Sequence, residues 1–355
     1  MPGQVGSAWR ALVASNPGEL PRAGLKGGRP LRVKDFVGSV PRLVWAKTNG
    51  CQLTSSACAL AAAGGQLEVL QWAREQGCAW DENTCGLAAR GGNFEVLKWA
   101  REHGCTWDWT TCAHTAGGGY LEVLKWAREH ECPWNEWSCA QAAENGQLEV
   151  LKWAREHDCP WNELTCSFAA GARHLEVLRW AREHGCPWNE STCISAAQGG
   201  HLEVLQWARE QDPACPWNES TCHSAAAGGH LEVLRWAHDN GCPWSVHTCS
   251  EAALYGQLEA LKFAREHDCP WDYMTISNAG ENGHVEVLRW AQENGCPDVG
   301  DSDSEEEEED EDEDVSEDLG SEHSGWSEEE EQEEEEEEAD EDEDEDAVED
   351  EDEDA

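Results

Sequence analysis

Tryptophan returns along this chain with a fixed period. Trp45, Trp72, Trp99, Trp126, Trp153, Trp180 and Trp207 stand 27 residues apart, and Trp236, Phe263 and Trp290 continue the series after a slip of two residues at Asp212-Pro213-Ala214. A period of this size marks a solenoid. Each repeat is one supersecondary unit that cannot bury its apolar face alone, and stacking the units makes a continuous core. Such a chain is expected to be a binding scaffold and not an enzyme.

The unit is best formed from Cys186 to Arg209. Asn189 is placed to cap a helix, because its side chain can accept from the free amides of the first turn, and Glu190 follows where negative charge suits the helix dipole. The pattern predicts a first helix from about Glu190 to Gln198, stopped by Gly199-Gly200. A second helix starts near Leu202. Leu202, Val204, Leu205, Trp207 and Ala208 form its apolar face, and Glu203, Gln206, Arg209 and Glu210 are expected to face water. The equivalent helix one unit earlier ends at His184-Gly185-Cys186-Pro187, a glycine stop followed by proline. The capping slot recurs as Asp81, Asp108, Asn135, Asn162, Asn189, Asn218, Ser245 and Asp272, and the stop as Gly50, Gly77, Gly104, Gly185, Gly241 and Gly295. The expectation is nine first helices and ten second helices over 40–297, with the half-units at each end serving as caps.

The stretch Thr192-Cys-Ile-Ser-Ala-Ala-Gln-Gly-Gly-His-Leu-Glu-Val-Leu resembles the ankyrin repeat, whose pattern is Thr-Pro-Leu-His-x-Ala-Ala-x-x-Gly-His-Leu-Glu-Val-Val. The resemblance covers about residues 40–297 and is closest to a short, Trp-rich, Cys-Pro-Trp variant. It implies an all-α, ankyrin-type solenoid of about nine to ten helix-turn-helix repeats that binds protein. The unit is shorter than the usual 33 residues, and the missing residues fall where ankyrins extend a hairpin, which implies tight turns and little or no sheet. The usual Thr-Pro-Leu-His has become Thr-Cys, so the histidine and its turn hydrogen bonds are gone.

Charge divides the chain differently. The sequence carries 74 Asp+Glu against 24 Lys+Arg, a formal net charge of −50. Residues 298–355 hold 39 of those acids and no base, so the remainder has 74 − 39 = 35 acids against 24 bases, a net of −11. A segment of that composition cannot bury enough apolar surface to offset its ordering entropy, so the tail is expected to be disordered. Residues 1–39 read as an N-terminal segment, partly helical or disordered, without an apolar block of signal-peptide length. No run of about 18 apolar residues indicates a membrane span. The 18 cysteines are expected to be reduced thiols in a cytoplasmic or nuclear protein.

Most repeated residues read as framework. The helical Trp series and the Cys-Pro-Trp series hold the same slot in every unit, as inter-repeat packing requires. The cysteines form two ladders, Cys51 to Cys296 in the turns and Cys58 to Cys249 on the first helices, the latter lapsing to Ile276. Their Cys-x6-Cys spacing is not that of a zinc knuckle, and equivalent cysteines of adjacent units are expected about 10 Å apart, so neither a metal centre nor a disulfide is expected. The histidines of the Gly-His pairs (His174, His201, His230, His284) share their slot with Gln, Asn and Tyr, which asks for polarity and not for an acid or base. No catalytic constellation, phosphate loop or cofactor motif stands out.

Function is expected where units differ. The first helices vary before and after their cysteine, and Trp109, Trp137, Leu164, Phe168 and Tyr273 are the large apolar exceptions to a small or polar slot. With His114, His223 and His247 they are the candidate partner-binding residues. The reading is a non-catalytic, monomeric interaction scaffold for a protein or peptide, with the tail capturing basic partners. Neither a membrane nor directly bound nucleic acid is expected, since stack and tail are both net acidic. The rival reading is a polyanionic chaperone or nucleic-acid mimic for basic proteins such as histones, acting mainly through the tail.

Overall fold

The structure, a computed structural model, describes residues 32–298. The chain divides into two units, 1–304 and 305–355, and the second lies wholly outside the described residues. The expectations for the acidic tail and for most of the 1–39 segment lie outside them too.

A 3-10 turn at Val33–Asp35 precedes nineteen α-helices. They are α1 (Val40–Thr48), α2 (Ser55–Ala63), α3 (Leu67–Glu75), α4 (Glu82–Arg90), α5 (Phe94–Glu102), α6 (Trp109–Gly117), α7 (Leu121–Glu129), α8 (Glu136–Glu144), α9 (Leu148–Glu156) and α10 (Glu163–Gly171). The series continues with α11 (Leu175–Glu183), α12 (Glu190–Gln198), α13 (Leu202–Glu210), α14 (Glu219–Ala227), α15 (Leu231–Asp239), α16 (Val246–Leu254), α17 (Leu258–Glu266), α18 (Tyr273–Glu281) and α19 (Val285–Glu293). Even-numbered helices are first helices and odd-numbered ones second helices, nine and ten as the pattern requires. Among the described residues there is no strand. The fold is an all-α helical solenoid with short loops.

Capping chemistry sets the helix starts. Asp81, Asp108, Asn135, Asn162, Asn189, Asn218 and Asp272 each accept a bond from the backbone amide two residues on. Ser245 departs from the expectation: it holds the slot without a capping bond, because its hydroxyl lies 3.1 Å from His223 Nε2 instead. The stops are left-handed. Gly185 has φ 83°, while three units place Glu131, Asp158 and Asp268 in the same slot at φ 62°, 62° and 60°. Gly200, between the two helices of its unit, has φ 71°, and a Cβ there would stand 2.5 Å from His230 Nδ1 of the next unit. That position therefore needs glycine for the backbone and for the close approach.

The core runs along the stack between the two helix rows. Each complete unit but the last buries one leucine fully, the series Leu70, Leu97, Leu124, Leu151, Leu178, Leu205, Leu234 and Leu261, beside small Ala and Cys residues of the first helix. First helices built of Ala, Ser, Thr, Cys and Gly pack closely on one another, whereas second helices, kept apart by Leu and Trp, approach their neighbours much less. The first helices therefore form the more closely packed row of the stack.

Polar groups tie unit to unit. His201, His230 and His284 each place Nε2 2.9–3.0 Å from a carbonyl at the C-terminal end of the preceding unit's first helix, and Asn93 donates to Ala63 O at 3.0 Å in the same way. These side chains satisfy helix-end carbonyls that would otherwise lack a partner. The turn cysteines act similarly. The Cys132, Cys186 and Cys242 thiols donate to the N-cap carbonyls of Asp108, Asn162 and Asn218 at 3.5, 3.4 and 3.4 Å.

Two expectations need correction. Arg209 does not face water. Its guanidinium lies 4.0 Å over the Trp217 ring and donates to Cys215 O, and Arg101, Arg128, Arg155, Arg182 and Arg265 repeat the arrangement. A planar cation next to an aromatic ring and a helix-end carbonyl has better partners there than bulk water. The cysteines, moreover, meet in a pairing that neither the six-residue spacing nor the unit-to-unit spacing reveals. Seven of the eight first-helix thiols, all but Cys58, hydrogen-bond the turn thiol that follows the second helix of their own unit: Cys85 with Cys105, Cys112 with Cys132, Cys139 with Cys159, Cys166 with Cys186, Cys193 with Cys215, Cys222 with Cys242 and Cys249 with Cys269. All are free and buried.

The tryptophans are mortar. Trp188 takes the Arg182 guanidinium on its face at 4.0 Å and meets Trp207 edge-on at 6.0 Å, so it links the second helices of successive units. These rings are half-buried and packed on the core, in keeping with the framework reading.

Candidate functional site

The first-helix row carries residues that break the repeat. Trp109 opens α6, Trp137 lies in the first turn of α8 and Phe168 in the middle of α10. Their rings stand 6.4 and 5.8 Å apart in sequence along the stack, so three successive first helices present one continuous aromatic strip. Trp109 is 38% exposed, while Trp137 and Phe168 are half-buried, each wedged between neighbours. Leu164, half-buried in the first turn of α10, sits on the same helix as Phe168. A ring at these positions cannot enter the core, because the inward positions hold Thr, Cys and Ala that are fully buried.

His114 borders the strip on α6. Its Nδ1 lies 3.1 Å from Gly86 O of the preceding first helix. Burial depresses its pKa, against the opposing effect of that backbone bond. It also lines an open cleft between α2, α4 and α6, whose wall includes Ser55, Ser56, Asp81, Leu87 and Thr110.

Further along, His223 and His247 form a second group. Their rings meet edge-on at 5.6 Å, and His223 Nε2 contacts Ser245 Oγ. Burial depresses the His223 pKa too. Tyr273 opens α18 at 41% exposed beside Met274 at 40%. The eight candidates therefore fall into an aromatic strip edged by His114, a histidine pair, and Tyr273. Sequence reasoning passed over Tyr255. It is 57% exposed at the C-terminal cap of α16, and the signal was available, since most other units have Gly in that slot.

The first-helix row is acidic. Its nine first helices carry Glu82, Glu136, Glu144, Glu163, Glu190, Glu219, Glu251 and Glu281 against Arg90 alone, eight acids to one base. Arginine and lysine lie mostly on the second helices, where Arg101, Arg128, Arg155, Arg182, Arg209 and Arg265 are held over tryptophan and Lys125, Lys152 and Lys262 are bonded to the glutamate three residues earlier at 2.7–2.8 Å.

Among the described residues no three His, Cys, Asp or Glu side chains converge as a metal centre, and no helix is long and apolar enough to cross a membrane. No family model and no curated protein matches the chain. Among solved structures, the human ASB11 ankyrin repeat domain is similar at 17% identity, covering 42% of this chain and 80% of that one, with a TM-score of 0.33.

Proposed function

We propose that this ankyrin-type solenoid is a non-catalytic scaffold whose first-helix face binds a basic segment of a partner protein. The carrying observation is the coincidence of an aromatic strip, Trp109–Trp137–Phe168, with a first-helix row of eight acids to one base. Large rings supply contact area at low entropic cost, and a surrounding acidic field selects lysine and arginine around the anchor. Tyr273 and the His223–His247 pair extend the surface toward the C-terminal units. The tail, with 39 acids and no base, adds long-range capture of the same partners.

The test is selection of peptides from a random library on the full chain, followed by affinity measurement. Basic peptides with an apolar anchor should be enriched. Trp137→Ala, with helical content unchanged, should weaken them by about 2 kcal/mol, roughly 30-fold. Enrichment of acidic peptides, or indifference to Trp137→Ala and Tyr273→Ala together, refutes the groove.

The tail's composition favours a second reading, a polyanionic chaperone for basic proteins such as histones. On that reading, deleting 298–355 abolishes capture, moderate salt releases the partner, and Trp137→Ala changes nothing.

A further inference from the structure

The first-helix face has an opening close to where the N-terminal segment joins the stack. Val33 and Val37 are buried in one core cluster with Ala57 and Cys58 of α2, and the Phe36 ring lies 5.5 Å from that of Trp45 on α1. The 3-10 turn therefore packs on α2, and residues 1–31 lead into the first-helix row. The cleft between α2, α4 and α6, of about 350 Å³, begins at that same α2. It is open because its residues are small: Ala59 and Gly86, with Ser55 and Ser56 in the slots that Trp109 and Trp137 fill further along. Ala59 and Leu87 give the cleft an apolar part and Asp81 an anionic one, and Glu82 next in sequence is exposed. Charge is complementary. Residues 1–31 hold Arg10, Arg22, Lys26 and Arg29 against Glu19, a net of 4 − 1 = +3. Residues 32–297 hold 35 − 1 = 34 acids against 24 − 4 = 20 bases. Trp9 is the only aromatic residue of the segment. The 23 residues from Trp9 to Arg32 can span about 75 Å at ~3.3 Å each. The far wall of the cleft, two helix steps of about 10 Å from α2, is well within that reach.

We propose that the protein's own N-terminal segment docks on this face, with the Trp9 indole in the cleft beside Leu87 and His114, and Arg10 facing Asp81 and Glu82. The segment is then an in-chain competitor for the basic partner, so the inference rests on the reading of the first-helix face given above. A segment tethered in this way acts at an effective concentration on the order of 1 mM. With an intrinsic dissociation constant of about 10–100 µM, it masks the site about 10–100-fold. Aromatic burial supplies the anchor and the acidic surroundings supply the register.

The test replaces Trp9 of the full chain by the photo-cross-linker benzoylphenylalanine and maps the cross-links by mass spectrometry. They should fall in 55–59, 81–87 and 110–114. A synthetic peptide of residues 1–31 should also bind the full chain carrying Trp9→Ala and Arg10→Ala about 10–100-fold more tightly than the unaltered chain, whose own segment holds the site. Leu87→Arg lies in a slot that holds His114, Gln141 and Phe168 in other units and so tolerates change; it should remove both the cross-links and the peptide binding. Cross-links on the second helices, or none, overturn the docking, as does equal binding of the peptide to the two chains. If library-selected basic peptides still bind the first-helix face in that case, only this inference falls. If they bind nowhere, the reading beneath it falls as well.

Discussion

Arg182 offers the sharpest test of how the units are joined. Its guanidinium lies 4.0 Å over Trp188 and donates to Cys186 O, so one side chain of α11 holds the following turn by two contacts. A hydrogen bond from a charged donor contributes about 1.5–3 kcal/mol. A half-exposed cation–π contact adds about 0.5–1 kcal/mol. Arg182→Ala should therefore destabilise the stack by about 2–4 kcal/mol. The chain contains a natural dissection of this sum. His238 holds the same slot in its unit and stacks on Trp244 at 3.9 Å and 15°, so it keeps a ring-face contact without the guanidinium fork. Arg182→His should accordingly recover only about 0.5–1 kcal/mol of the loss. Urea unfolding gives the totals, and hydrogen exchange at Cys186–Ser191 gives the local effect, because a solenoid can open unit by unit. If Arg182→Ala leaves both unchanged, or Arg182→His matches wild type, the carbonyl bond is not what joins the units.

Other expectations follow from the same geometry. Asp158→Gly should stabilise by about 1 kcal/mol, since a non-glycine residue at φ 62° is replaced by one without the steric penalty; Gly200→Ala should destabilise by more than the reverse amount, because His230 must also move, both read from urea midpoints. Burial depresses the pKa values of His114, His201 and His223. Their neutral forms are favoured on folding, so stability should be full above about pH 6.5 and fall as the pH drops through their lowered folded values. Burial pushes the Cys58 thiol up to about 12 and the Cys296 thiol to about 11. That stabilisation is full below their ordinary value and should be lost as the pH rises toward those numbers, so thermal melts from pH 5 to 11 should decline at both ends. Cys186→Ala removes the thiol that donates to Asn162 O at 3.4 Å and should cost about 1–2 kcal/mol by loss of the bond and of packing.

Much of the architecture could be read from the chain before any coordinates. Caps at Asp81 and Asn189, glycine stops and the 27-residue period are local signals, each acting within one helix turn. For that reason nine first helices and ten second helices emerge where the pattern puts them. Ser245 escaped because its capping hydroxyl is drawn to His223 of the preceding unit, and Arg209 because its aromatic partner is Trp217, beyond the reach of helical periodicity. The candidate site divides in the same way. Deviation from the repeat marks Trp109, Trp137 and Phe168 one by one, but only the stacking distance of adjacent first helices makes them a single strip.

Sequence alone determines the unit, its period and the residues that break step, because those depend on spacing along one chain segment. Tertiary structure decides which groups meet across units and across the helix pair, such as Cys112 with Cys132 and Trp109 with Trp137. Those meetings depend on how closely small residues let first helices approach, and that is a property of the packed stack.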